Sequence, residues 1–184
     1  EIIYTAIEIV NAALTKAGIS KTIVQNGKTP EYYALNLHTG KRELFNPSIH
    51  KDVDISKFSD EQQKSFLESL SNAGLFAVNK DKQPTYTAEV KLERWNRTLN
   101  RIDVISIPYS NQEAIDAGLL KGINSDGEVV KGKDNWNKHK ATHLLKMSLM
   151  IGARLIAPDL LNGIYNEAEI DFIKETDKDL NVED

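Results

Sequence analysis

The sequence contains no cysteine, which removes a disulfide framework, a cysteine zinc site, an iron–sulfur cluster and any thiol nucleophile, and makes a cytoplasmic compartment the default expectation. No apolar run approaches the roughly 20 residues of a membrane span, so the chain reads as soluble. The opening Glu1-Ile2-Ile3-Tyr4 lacks the basic start of a signal peptide, and because it does not begin with Met, position 1 is open to being internal to a longer chain. G-x-S-x-G, G-x-G-x-x-G and calcium-loop patterns are missing too. Gly27-Lys28-Thr29 resembles the end of a phosphate-binding loop, but position 22, where that loop needs glycine, is Thr. ATP use is therefore not expected, and Asn26-Gly27 reads as a turn. His139 and His143 stand four apart, yet Lys140 occupies the place of the glutamate that a metalloprotease helix carries, and its charge would repel a metal. No two carboxylates converge at a spacing that suits acid–base chemistry. The expectation is a non-enzyme without metal or cofactor.

What the chain has is an uneven charge. Across 184 residues, 23 Lys and Arg face 27 Asp and Glu, a net −4. From Asp159 onward nine acids face two lysines, a net −7, which leaves residues 1–158 at +3. Lys138 to Arg154 holds Lys138, Lys140, Lys146 and Arg154 with two histidines and no acid. Such a stretch suits a polyanion, because neutralised phosphates release counterions; it equally suits a solvated helix face.

Periodicity sets the element expectations. Ile3, Ile7, Val10 and Leu14 line one helix face, with Gly18 as the stop. Ile23 to Gln25, Tyr32 to Leu37 and Arg42 to Phe45 read as strands of a meander joined by turns at Asn26-Gly27 and Thr39-Gly40. Ser59 with Gln62 is a capping box that opens a helix over 60–72 with Phe66, Leu67 and Leu70 as its buried stripe. Tyr86, Ala88, Val90 and Leu92 alternate with polar residues, and Ile102, Val104 and Ile107 return as the hairpin partner. Ser110 with Glu113 caps a short helix ended by Gly118. Lys121 to Asn135 reads as a loop or loose hairpin, and 137–157 as one long helix stopped by Pro158. Asn166 with Glu169 opens a last short helix. The fold class is α+β: a small antiparallel sheet of hairpins packed with several helices, in one domain over 1–173, with an acidic tail over 174–184.

Two basic clusters carry the functional expectation. One is Lys133, Trp136, Lys138, Lys140 and Lys146 around the entry of the long helix, where backbone N–H groups also favour anions. The other is Lys91, Arg94, Trp95, Arg97 and Arg101 around the hairpin turn. Cations beside an indole suit a phosphate backbone with a base to stack. Taken alone, either tryptophan reads more readily as a core anchor.

The run Tyr109 to Leu119, then Asp134-Asn135-Trp136, the basic helix, Gly152 to Asp159, and Gly163-Ile164-Tyr165 through Glu169 resembles the RecT/Redβ family of phage single-strand annealing recombinases. The resemblance covers about residues 107–170 and is loose upstream. It implies ATP-independent binding and annealing of single-stranded DNA through an annealed duplex intermediate. It also implies a ring or helical filament of identical subunits and a partner exonuclease in a bacterial cytoplasm. Carried over by position, Lys138, Lys140 and Lys146 would face phosphates, and Arg154 would join them or brace the helix through an internal carboxylate. The chain departs from the family's pattern at Lys140, where many relatives have Pro, and at Thr142 and His143, near which they carry a basic residue. The alternative is a non-enzymatic structural or adaptor protein of a phage or mobile element.

Overall fold

The computed structural model describes residues 6–161. The expected share of Ile3 in the first helix, the helix opened by Asn166 and Glu169, and the acidic tail from 174 lie outside the described residues. The fold is α+β. Where the sequence suggests one domain, the backbone groups into two compact units: residues up to Lys28 together with those from Thr87 onward, and Thr29–Tyr86 between them.

In the first unit, α1 (Ala6–Lys16) buries Val10 and Leu14 and ends where Gly18 takes φ +72. That left-handed residue lets Ile19 N–H reach back to Leu14 C=O at 3.0 Å and turns the buried Ile19 into the core. β1 (Ser20–Asn26), β6 (Thr87–Asn96) and β7 (Arg101–Ser110) form an antiparallel sheet in the order β1-β6-β7. Ala88, Val90 and Leu92 of β6 are buried, as their alternation predicts. The long helix α5 (Lys140–Ile156) packs on them, and its Leu149, Met150 and Ala153 close a core with Val10, Leu14, Val90 and Leu92. Each fully buried Leu or Val side chain of this core contributes about 1.5–3 kcal/mol relative to exposure.

The contact between α5 and the sheet depends on two small residues one helical turn apart. Gly152 lets the helix approach so closely that a Cβ would stand 3.3 Å from Leu92 and 3.4 Å from Ile105. The fully buried Ser148 accepts from Val90 N–H at 2.8 Å and donates to Ile107 C=O, tying both strands to the helix.

α3 (Asn111–Asp116) carries the expected capping box of Ser110 and Glu113. The loose hairpin forms as β8 (Gly122–Ile123) and β9 (Val129–Val130), its turn organised by Asp116, which accepts from Ser125 N–H at 2.7 Å. The one helix expected over 137–157 is instead two, α4 (Asp134–Lys138) and α5, because His139 at φ −128, ψ 47 leaves the helical region. Pro158–Leu160 then forms a single 3-10 turn.

In the second unit, β2 (Tyr33–Asn36), β3 (Arg42–Leu44), β4 (His50–Asp52) and β5 (Phe76–Lys80) form a sheet in the order β3-β2-β5-β4. The Thr39-Gly40 turn joins β2 to β3 as expected, but β4 and β5 are parallel, so this sheet is mixed rather than antiparallel. The expected meander is corrected at its first strand: β1 pairs with β6, so the Asn26-Gly27 turn leads out of a strand instead of folding it back. The helix α2 (Asp60–Asn72) opens with both bonds of the Ser59–Gln62 box, but its apolar stripe is only half-buried. Among the described residues, no helix is long and apolar enough to cross a membrane.

Candidate nucleic-acid interface

The β6–β7 hairpin is an arm with ten residues in each strand and a four-residue tip, Arg97 to Asn100. Asn96 shapes the tip by accepting Leu99 N–H at 3.1 Å, and Asn100 takes φ 49, a conformation that asparagine tolerates better than most residues. Because β6 alternates strictly, its core residues turn Trp95 to the opposite, open face, where it stands in register with Ile102. Trp95 is 53% exposed, Ile102 56% and Leu99 at the tip 54%. Arg97 is exposed, and Arg101 is bound through its Nε to Asp103 at 3.1 Å. Lys91, also on the open face, pairs with Glu93 at 3.3 Å. Beside the base of the tip lies a cleft of about 570 Å³ whose walls include Gly18, Arg94, Trp95, Arg97, Asp103 and Ile156. An exposed indole and Arg97 at the rim of a cleft of this size suit a sugar-phosphate strand with stacked bases.

Arg94 serves a different purpose from the DNA contact expected of it. Its guanidinium holds both carboxylate oxygens of Asp159, at 2.8 and 3.0 Å, and donates to Ile156 C=O at 3.0 Å. It braces the arm against the end of α5 and so fixes where Trp95 and Arg97 stand. Arg94 holds Asp159's carboxyl below its ordinary value. A depressed folded value means that the clamp's contribution is present above the unfolded carboxylate value of about 4 and is lost as pH falls through the folded one. Asp159→Asn is therefore expected to melt below the parent at pH 6, with the gap narrowing progressively as pH falls below about 4; a gap that does not change with pH would refute the ionic clamp.

The second expected cluster lies at the other end of α5, which at 17 residues is about 25 Å long. Trp136 is corrected from stacking platform to core anchor: it is 6% exposed and its ring lies against His143, with centroids 4.8 Å apart. Lys138 is exposed, Lys133 and Lys140 are half-buried, and burial pushes Lys140's ammonium below its ordinary value. Lys146 and Arg154 are half-buried further along the helix. Six residues of helix turn Lys146 about 120° from Lys140, whereas Arg154 lies within about 40° of it. Lys140 and Lys146, both expected to face phosphates, therefore do not share a helix face. The structure adds a neighbour the sequence concealed. A Cβ at Gly27 (φ +68) would stand 3.3 Å from Leu144 and 3.7 Å from Ala141, so the end of β1 packs on the first turns of α5 and brings the exposed Lys28 to that end.

In the second unit His50 is 4% exposed; its Nδ1 accepts Asn46 N–H at 2.9 Å and its Nε2 lies 2.6 Å from Glu43. Hydrogen bonds from Asn36 first, and then from His50, hold Glu43's carboxyl below its usual value. Both ring nitrogens are engaged, which leaves neither to serve a substrate. Among the described residues, no group of three metal-ligating side chains converges.

No family model matches the chain, and neither the curated proteins nor the solved structures contain a match.

Proposed function

We propose that the chain binds single-stranded DNA along the open face and tip of the β6–β7 arm and anneals it to a complementary strand without ATP. The observation that carries this reading is the exposed Trp95 on the open face of a braced arm whose tip carries the exposed Arg97. An annealing protein has to hold backbones while leaving base edges able to pair, and a stacking platform with cations does that without reading sequence. The resemblance of residues 107–170 to the RecT/Redβ recombinases supports the same function. With it come the rest of the proposal: assembly of identical subunits on DNA, a partner exonuclease and a bacterial cytoplasm. Lys28, Lys138 and Lys140 extend the site as phosphate contacts at the far end of α5.

The test is the annealing rate of two complementary oligonucleotides without ATP, at low and moderate salt, with particle mass followed in the same samples. Acceleration that weakens with salt, accompanied by large particles, is expected. No acceleration would refute the proposal.

A second reading, a protein-contact module, draws on the open face's Ile102 and Val104, which are 56% and 55% exposed. It expects no gain in annealing and no salt-dependent oligonucleotide binding.

A further inference from the structure

Among the described residues, the first unit's sheet has two unpaired edges, and they differ in how they are blunted. Along β7, Pro108 lacks an N–H, and Arg101 and Asp103 place charges on the edge. These devices discourage the addition of another strand. β1 has few of them. All seven of its residues are exposed, Ile23 and Val24 by 54% and 52%, and it contains neither proline nor acid. Its one charge, Lys21, is drawn back onto Asn11 of α1 at 2.5 Å. A bulge between Ile23 and Gln25 is its remaining irregularity. β1 thus presents main-chain donors and acceptors together with two β-branched side chains.

We propose that β1 is a self-pairing edge: two copies of the chain join β1 to β1, antiparallel, about a two-fold axis at Ile23. A second copy is the occupant because the strand is complementary to itself. Centring on Ile23 overlaps most of the strand. Counted past the bulge residue Val24, Ile23 then faces Ile23, Thr22 faces Gln25 and Lys21 faces Asn26, so no like charges meet. Pairing at β7 lacks this property, since Pro108 cannot donate. The result is one sheet of six strands running through both copies, with β7 at each outer edge. This contact is isologous and closes at two. It does not rest on the DNA reading.

The absence of cysteine makes the test direct. Opposed residues of an antiparallel pair have Cα atoms about 4.5–5.5 Å apart, within disulfide reach. In the full chain, Ile23→Cys is expected to give a disulfide-linked dimer on mild oxidation, and Val104→Cys on β7 is not. Ile23→Lys combined with Val24→Lys, both at exposed positions, is expected to weaken dimerisation by roughly tenfold or more in sedimentation while leaving the circular dichroism unchanged. A parent chain that stays monomeric over the concentration series, or an Ile23→Cys variant that does not cross-link, overturns the proposal. So does efficient cross-linking between the Ile23→Cys and Val104→Cys variants when the two are mixed, because it marks a head-to-tail contact. Oligonucleotide binding by the lysine variant is measured separately; its retention alongside loss of the dimer supports the self-pairing edge, and failure of the parent to bind DNA leaves the dimer result standing.

Discussion

Replacing Trp95, Arg97 and Arg101 together by alanine is expected to weaken binding of a single-stranded oligonucleotide about a hundredfold. The indole accounts for much of this, since stacking one base on an aromatic ring contributes about 1–3 kcal/mol. The arginines act through phosphate, and removing each one is expected to reduce the slope of log affinity against log salt by about 0.7. The three side chains are exposed and lie in or next to a tip held by Asn96, so the arm's backbone has no cause to change. Fluorescence anisotropy of a labelled oligonucleotide over a salt series, with circular dichroism as the fold control, measures both quantities. Lys138→Ala with Lys146→Ala makes the contrast: the two lie on different helices, and the effect is expected to be smaller. An arm variant that binds like the parent would remove the arm from the site.

Gly132→Ala is expected to be the most damaging of the glycine-to-alanine substitutions for stability. Gly132 takes φ +67, and a Cβ there would stand 2.4 Å from Lys121 N, 2.6 Å from Leu120 C and 2.9 Å from Asn137 Oδ1. Two of these are backbone atoms that cannot step aside. The crowded group is also a junction: Asn137 Oδ1 accepts Lys121 N–H at 2.9 Å and its Nδ2 donates to Lys131 C=O at 3.1 Å, while Lys133 N–H reaches Leu119 C=O at 2.8 Å. Overpacking together with the strained φ puts the cost at roughly 3 kcal/mol. Gly127 provides the control. It also has positive φ, at +84, but no atom within 4 Å of a built Cβ, so Gly127→Ala should show the backbone term alone, about 1–2 kcal/mol. Urea midpoints for the two variants separate these terms. Equal losses would show that the close approach at Gly132 relaxes freely.

Local signals in the sequence were legible wherever the interaction they describe is itself local. The Ser59–Gln62 and Ser110–Glu113 boxes, the glycine stop at Gly18 and the alternation of β6 each concern residues within a turn or a strand of one another, and each appears in the structure. The same alternation that buries Leu92 sends Trp95 outward, so half of the candidate site was already contained in it. Long-range pairing was not legible. Asn26-Gly27 supplies a positive φ whether the chain folds back or departs, and the partner of β1 lies beyond the whole Thr29–Tyr86 unit. The spread of the lysines over different faces was not legible, because counting charges ignores the 100° step of a helix and because His139 breaks the helix between Lys138 and Lys140. Trp136 illustrates the limit of composition: an indole beside lysines reads the same whether it faces solvent or His143. Ser148 and Gly152 were readable in principle as small residues four apart on an apolar helix, but the sheet they meet is visible only in three dimensions. Leu99 could have been singled out as an apolar side chain in an otherwise polar hairpin tip.

The chain's two tryptophans allow the most direct measurement of the central claim, that bases stack on Trp95. Trp136→Phe leaves Trp95 as the sole indole reporter, and Trp95→Phe leaves the buried Trp136. Titration of each with an unlabelled single-stranded oligonucleotide at low salt is expected to give saturable quenching in Trp136→Phe, reversed by added salt, and little change in Trp95→Phe. Quenching confined to Trp95→Phe, or absent from both while the oligonucleotide is demonstrably bound, would contradict that claim.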